Sequence, residues 1–251
     1  MLELTAIAFS PWSEKARWAL DHHRCDYREL AYEPIVGEYV LRWQMRRPFG
    51  RLTVPVLRDG DRWWTDSFDI ARHAESIGHG APLFPKDRLA EIADWNRRSE
   101  AALAAGRAIL MRSWSDTREL AIAALPDRIP EALKPLFLPV GRQRLRSFMA
   151  RYAIREQDRT PEETLTRELD ALEQALGDGR HLVGDAFSYA DIAMALTLQQ
   201  VAPVDPRYIV RMAGLGPAGM NVPELESRYA GLIAWRDELY ARHRRPGGGL
   251  A

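Results

Sequence analysis

The chain has 251 residues, which at roughly 150 residues per domain allows one or two domains and at least one full hydrophobic core. Basic and acidic residues both number 35, so the formal net charge is zero. This balance excludes a general nucleic-acid binder, whose affinity needs surplus positive charge to neutralise phosphates. Cys25 is the only cysteine, which excludes an intrachain disulfide and any metal site built from cysteines.

The N-terminus has no positively charged segment before its short apolar run, so the pattern differs from that of a secretory signal. No stretch of the chain approaches the roughly 18 uninterrupted apolar residues that a membrane span needs. We therefore expect a soluble, cytoplasmic protein with no membrane or nucleic-acid partner.

The N-terminal third of the chain changes its hydrophobic period several times. Ser10-Pro11 opens a helix, because Ser is a good N-cap and Pro at the first helical position needs no amide hydrogen. Asp59-Gly60 is typical of a hairpin turn, and Ser67 can cap a last helix that Gly78 ends. The predicted elements are a strand at 2–9, a helix from 11, a strand at 27–32, a shorter, irregular helix within 37–47, strands at 53–57 and 63–65, and a helix at 67–78. This βαβ-α-ββα order predicts an α/β unit with a mixed four-stranded sheet flanked by helices.

Residues 79–85 (HGAPLFP) have the composition of a linker, and beyond them no period of two indicates strands. Thr160-Pro161 starts a helix, and Ser188 starts another with Asp191 at its third position. The second domain is therefore predicted to be all-α. Its helices are expected at 87–115, 141–157, 161 to about 177 or 179, from 188, and at 223–244, with a Pro-rich interruption at 126–139 and a loop at 202–222. We place the domains at 1–79 and 86–245 and a disordered tail at 246–251.

Ser10 is the first residue that could carry chemistry. It lies where a strand ends and a helix begins, so its hydroxyl faces backbone amides at the positive end of a helix dipole. Such a position stabilises an anion, for example a carboxylate, a phosphate or a thiolate. The alternative is that Ser10 only caps its helix.

Two further places could bind a ligand. Val54-Pro55 puts a proline inside an apolar strand, so either a cis peptide bond leaves the backbone of Val54 free for a ligand or the segment is an edge strand with a trans proline. Asp66 and Ser67 stand just before a helix. There, a carboxylate and a hydroxyl beside free amides can hold both halves of an amino-acid zwitterion, or they can simply cap the helix.

Together these residues resemble a known arrangement. SPWSEKARWALD (10–21), TVPVL (53–57) and DS (66–67) follow the order of the thioredoxin-like domain of glutathione S-transferases. The sequence SYAD (188–191) resembles the capping box of that family's helical domain, a folding element. The resemblance implies that the chain uses glutathione as a co-substrate, with no other cofactor and no metal, and that it forms a homodimer.

By the same resemblance, Ser10 corresponds to the serine that hydrogen-bonds the glutathione sulfur in the serine-type classes. The backbone of Val54, ahead of a cis-Pro55, would pair with the cysteinyl part of glutathione. Asp66 and Ser67 would bind its γ-glutamyl end.

The segment 49–55 is longer than the family's usual pattern, and within it Arg51 is expected at the glycine end of glutathione. An apolar pocket between the domains is expected to hold the electrophile, and the loop at 202–222 is a candidate for substrate preference. The candidate pocket residues, for which helix core is the alternative, are Trp12, Ser13, Met111 and Trp114.

Serine rather than cysteine at position 10 excludes a mixed disulfide with glutathione, so we expect conjugation, isomerisation or peroxide reduction. The leading expectation is a cytosolic glutathione S-transferase that attacks a small hydrophobic electrophile and serves detoxification. The alternatives are a glutathione-dependent isomerase of the maleylacetoacetate type and a non-catalytic binding protein. Two weak signals are set aside: GxGxxG at 214–219, because Pro217 lacks an amide for a pyrophosphate, and a zinc cluster of His22, His23 and Cys25, because adjacent side chains on a helix point about 100° apart.

Overall fold

The structure is a computed structural model that describes residues 1–32, 36–50, 52–114, 118–126, 128–152, 159–210 and 223–246. Its N-terminal part contains four strands and three helices in the predicted order. They are β1 (Leu2–Ala6), α1 (Pro11–His22), β2 (Tyr27–Ala31), α2 (Val36–Gln44), β3 (Val56–Asp59), β4 (Arg62–Trp64) and α3 (Ser67–Ile77).

The strands form one mixed sheet in the order β2-β1-β3-β4. β1 runs parallel to β2 and antiparallel to β3, and β4 returns antiparallel to β3. The predicted hairpin lies between β3 and β4, where Gly60 has a φ of +58°, a backbone conformation that favours glycine. The sequence-based fold class, a mixed four-stranded sheet followed by helices, is confirmed.

Two strand boundaries and one helix cap in this part differ most from the prediction. β1 ends at Ala6 rather than at residue 9, because the chain turns there and the Ser10 amide donates to the Ile7 carbonyl at 3.1 Å. β3 begins only at Val56, after the proline that has no amide to donate. The N-cap of α3 is Asp66 rather than Ser67, since the Asp66 carboxylate accepts from the Phe68 amide at 2.8 Å.

The remaining elements of the described chain are helical. They are α4 (Leu89–Trp114), α5 (Arg118–Ala123), α6 (Leu138–Tyr152), α7 (Pro161–Leu176), α8 (Tyr189–Ala195), α9 (Pro223–Arg228) and α10 (Ala230–His243), with 3₁₀ turns at Lys86–Arg88, Glu131–Phe137 and Leu196–Gln200. Helix α6 begins earlier than predicted, because Pro139 lies in its first turn, where a missing amide costs nothing.

The predicted terminal helix is two helices, α9 and α10, that meet at Tyr229. The Tyr229 backbone is non-helical, and its buried side chain turns toward α7 and donates a hydrogen bond to Asp170 at 2.6 Å. The predicted glycine motif at 214–219 and the end of the predicted tail, residues 247–251, lie outside the described residues.

Both predicted capping motifs are present. Thr160 accepts from the Glu163 amide while the Glu163 carboxylate accepts from the Thr160 amide. The buried carboxylate of Asp191 accepts from the Ser188 amide and from the Leu182 amide, both at 2.8 Å. Asp191 therefore ties the start of α8 to the loop that precedes it.

Helix α1 lies between two apolar cores. Ala16 and Leu20 pack with the sheet and with α3. Trp18 and Ala19 pack instead with the core of the helical part, where the Trp18 ring lies 4.4 Å from that of Tyr240. The sheet and the helices thus share α1 as a common element. None of the helices in the described ranges has the length and apolar character needed to cross a membrane.

The buried imidazole of His23, at the C-terminal end of α1, predicts an acid-sensitive stability. The residue is 1% exposed, and burial together with neighbouring His22 lowers its pKa from 6.5 to about 4. The unfolded chain therefore binds a proton in a pH interval where the folded protein does not, so stability falls as the pH drops from 6.5 toward 4. At about pH 5 this loss amounts to about 2 kcal/mol.

Replacing His23→Gln should remove this loss. Urea unfolding at about pH 7.5 and about pH 5 should show a difference in unfolding free energy that is about 2 kcal/mol smaller in the variant than in the unmodified protein. The matched control is His79→Gln, a change at an exposed residue of the linker. Equal pH dependence in all three proteins would contradict the assignment.

Candidate functional site

Three segments of the chain meet at one edge of the sheet. β1 ends there, β3 begins there and β4 ends there, because both strand pairs that involve β3 are antiparallel. The register that pairs Thr5 with Val56 places Ile7 opposite Val54 when it is continued by two residues. The fold thus brings the β1–α1 loop, the Val54–Pro55 segment and the start of α3 together.

A small apolar cluster underlies this edge. Ile7 and Val54 both pack on it, and the Val54–Pro55 peptide bond is cis, one of the two possibilities that the sequence left open. Val54 is half-buried and precedes the first residue of β3. The cluster residues are Tyr32, Leu41, Leu52 and Val56.

Ser10 occupies the N-cap of α1. Its backbone is extended and its hydroxyl lies 3.5 Å from the Ser13 amide, a long contact that leaves the oxygen able to serve another partner. The side chain is half-buried. It therefore stands at the positive end of a 12-residue helix, beside the edge where the three segments meet.

Ser13 has a different place from the one predicted. It is fully buried, and its hydroxyl accepts a hydrogen bond from the Ile7 amide at 3.1 Å. A side chain with no exposed surface does not line an open pocket, so Ser13 is removed from the candidate electrophile pocket. Its observed contact instead holds the loop that leads to Ser10.

The predicted γ-glutamyl residues lie at the start of α3. Asp66 is exposed, and Ser67 is 3% exposed and close to the phenol of Tyr189 in the helical part. Burial raises the pKa of Tyr189 well above its usual range, so this phenol is neutral. The amino end of α3 therefore presents one exposed carboxylate, and the neutral phenol of Tyr189 lies close to its first residue.

A charged cluster joins the two parts of the protein beside this position. Glu100 on α4 accepts from the Lys15 ammonium at 2.7 Å and from the Trp12 indole at 2.6 Å. The Lys15 side chain is fully buried, and burial lowers its pKa, whereas Glu100 and Asp66 oppose that shift. Glu100 thus fixes the first turns of α1 against α4.

The other predicted pocket residues fall on α1 and α4. The Trp12 ring is half-buried, with the Arg107 guanidinium 4.7 Å from its centre. Met111 is one helical turn beyond Arg107 and is buried. The Arg107 contact thus links Trp12 on α1 to α4, whereas the side chain of Trp114 and the whole of Arg51 lie outside the described residues.

Buried charged side chains of α1 form a network with β2 and with the residue after α10. Glu14 accepts from Arg244, the residue after α10, at 2.6 Å, and Arg244 also bonds Asp21. Burial raises the pKa of Glu14, and Arg244 and Arg17 oppose the rise. Arg17 in turn makes a bidentate contact with Glu29 on β2, at 2.6 and 2.9 Å.

Sequence reasoning missed these charged residues. A run such as Ser-Glu-Lys-Ala-Arg at a helix start usually marks a solvated face, yet Glu14, Lys15 and Arg17 are at most 1% exposed. A usable signal was present, because apolar residues occupy most of the rest of α1 and leave little of it for solvent. Within the described ranges, no group of three or more His, Cys, Asp or Glu side chains could hold a metal ion.

The family is established by comparison with known protein domains. Residues 9–77 match the family described as "Glutathione S-transferase, N-terminal domain", and residues 162–238 match "Glutathione S-transferase, C-terminal domain". The two matches follow the order of the sheet and the helices. The chain belongs to the glutathione S-transferase family.

Solved structures share this fold at low sequence identity. One is a glutathione S-transferase from Methylobacillus flagellatus with glutathione bound, 18% identical, covering 96% of this chain and 95% of that chain with a TM-score of 0.54. Another is the beta-etherase LigF from a Sphingobium species, 19% identical over 96% and 95% of the two chains with a TM-score of 0.57. No protein of curated function matches the sequence.

The buried ammonium of Lys15 makes Glu100 a strong contributor to stability. Glu100→Ala should lower the unfolding free energy by about 3 kcal/mol, because it leaves a buried positive charge without its partner. Denaturant unfolding measures the loss.

Two controls sharpen this test. Glu91→Ala, on the same helix as Glu100, breaks an exposed ion pair with Arg88 and should cost less than about 1 kcal/mol. Adding Lys15→Met to Glu100→Ala should recover most of the loss, because the buried charge is gone. Similar losses for Glu91→Ala and Glu100→Ala would refute the account.

Proposed function

We propose that the protein is a glutathione S-transferase in which Ser10 stabilises the glutathione thiolate for attack on a small hydrophobic electrophile. The observation that carries the proposal is the convergence, at one sheet edge, of the Ser10 hydroxyl, the backbone at Val54 and the start of α3. Family membership and relatives with bound glutathione agree with this reading.

Each part of the site suits one part of glutathione. The Ser10 hydroxyl, at a helix N-terminus, suits a thiolate. The amides at the start of α3 suit the γ-glutamyl carboxylate, and the exposed Asp66 carboxylate suits its ammonium group. The backbone at Val54 suits the cysteinyl amide between them, and Arg51 remains our proposal for the glycine carboxylate.

Thiolate stabilisation alone gives a modest gain. A thiol with a pKa of about 8.5 is a few per cent ionised at neutral pH. Lowering that pKa by ~2 units raises the thiolate fraction roughly 25-fold, but the lower basicity costs about 8-fold in nucleophilicity, which leaves a factor of about three. Most of the acceleration must therefore come from holding the electrophile against the sulfur.

In the proposed reaction, the Ser10 hydroxyl donates a hydrogen bond to the sulfur, and the thiol proton passes to solvent. The sulfur lone pair then forms a bond to the electrophilic carbon, and a leaving group such as a halide departs with the electron pair. Trp12 and Met111 would form the wall of the electrophile pocket on the α1 and α4 side.

We also propose that the protein acts as a homodimer in the cytoplasm, where glutathione is the main thiol buffer, with a role in detoxification. Tyr39 and Trp43, one helical turn apart on α2, and nearby Phe49 are 70%, 81% and 84% exposed. Large exposed apolar side chains of this kind mark protein–protein contact surfaces, and a second copy would cover them. A monomeric mass in sedimentation velocity would rule out the dimer.

The central test is Ser10→Ala. With glutathione and an aryl halide, the turnover number should fall at least about tenfold, a barrier increase of about 1.4 kcal/mol or more. Retention on a glutathione column should change little, because the hydroxyl contributes to the thiolate rather than to the rest of the tripeptide. An unaltered rate would exclude the proposed role of Ser10.

Asp66→Ala is the complementary variant. It should weaken glutathione retention, since the γ-glutamyl ammonium loses its carboxylate partner, and calorimetric titration measures the change in affinity. Unchanged affinity would contradict the γ-glutamyl assignment.

If the unmodified protein is retained on the column but turns over no electrophile, the protein is a glutathione-binding member without transferase activity.

A further inference from the structure

We propose that Arg17 and Ser13 are positioning residues that set where the Ser10 hydroxyl stands. The inference deepens the proposed function and rests on it. Neither side chain touches the site, and both act on the backbone of the loop that carries Ser10.

Arg17 holds the carbonyl groups of this loop. Its guanidinium donates to the Ile7 carbonyl at 3.1 Å and to the Ala8 carbonyl at 3.3 Å. Ile7 and Ala8 are two of the three residues between β1 and Ser10. Because a guanidinium is planar and carries five donors, it can donate hydrogen bonds to two carbonyls and a carboxylate at the same time.

Ser13 holds the same loop through the backbone amide of Ile7. Its hydroxyl accepts from the Ile7 amide at 3.1 Å, so Ser13 and Arg17 together occupy both polar backbone groups of Ile7. The two side chains are four residues apart and therefore lie on one face of α1. The Ile7 carbonyl also accepts from the Ser10 amide at 3.1 Å, which links the held residue directly to Ser10.

The guanidinium is itself fixed by carboxylates. Glu29 on β2 accepts from it at 2.6 and 2.9 Å, and Glu14 lies 3.5 Å away. The Arg17 side chain is 2% exposed, and Glu14 is held in turn by Arg244. Because the buried guanidinium has this many partners, it has one available orientation. The loop whose carbonyl groups it hydrogen-bonds is therefore held in one position relative to the sheet.

The experiment is a double-mutant cycle that combines Arg17→Lys with Ser10→Ala. Lysine keeps the positive charge between the two carboxylates but lacks the planar fork needed for both carbonyls. In the unmodified background, Arg17→Lys should lower the turnover number on the order of tenfold, as misplacement of a reacting group does. The same substitution should raise the apparent pKa of the bound thiol, read from the ultraviolet absorbance of the thiolate against pH.

The cycle distinguishes a positioning role of Arg17 from a general loss of activity. If Arg17 acts through Ser10, Arg17→Lys should change the turnover number by less than about twofold once Ser10 is alanine. An equal loss in both backgrounds would overturn the inference, and so would an unchanged thiol pKa. Ser13→Ala provides a second cycle with the same expected pattern, which decides the matter if the lysine variant does not fold.

Arg28→Lys is the matched control, an exposed arginine on β2 next to Glu29. It should leave both the turnover number and the thiol pKa unchanged. If Ser10→Ala alone has no effect, the proposed function fails. If Ser10→Ala has its effect but the Arg17 substitution adds to it independently, only the positioning inference fails.

Discussion

The burial of charged side chains on helix α1 is the constraint on which the rest of the structure depends. Glu14, Lys15 and Arg17 are withdrawn from solvent, and each faces an opposite charge from another element. A buried charge without a partner costs several kcal/mol, so α1 has little freedom to rotate or slide. Since Ser10 caps this helix, the ion pairs beneath α1 also determine where its hydroxyl stands relative to the sheet edge.

Local signals in the sequence were enough to predict the order of the strands and helices. Ser10-Pro11, Asp59-Gly60 and Thr160-Pro161 each specify a helix start or a turn through their own chemistry, and the structure has those elements at those places. The order of strands and helices then leaves few arrangements for the sheet. The resemblance to glutathione S-transferases rested on short segments at 10–21, 53–57, 66–67 and 188–191, and the family matches agree with it.

The remainder depends on contacts between distant residues, which short-range patterns do not encode. Lys15 meets Glu100 across 85 positions of sequence, and Glu14 meets Arg244 across 230. Ser13 was among the expected pocket residues, yet its hydroxyl accepts a hydrogen bond from the Ile7 amide. The division of the terminal helix at Tyr229 was not predicted either, and there the Tyr229 phenol donates to Asp170 on another element.

Family membership defines the fold and the expectation of glutathione binding, while the reaction depends on the side chains around the glutathione sulfur. The most direct measurement is a crystal structure of the protein with glutathione. The account predicts the tripeptide along the edge formed by β1, β3 and the start of α3, with its sulfur within hydrogen-bonding distance of the Ser10 oxygen. Glutathione bound elsewhere, or along this edge with its sulfur turned away from the start of α1, would contradict it.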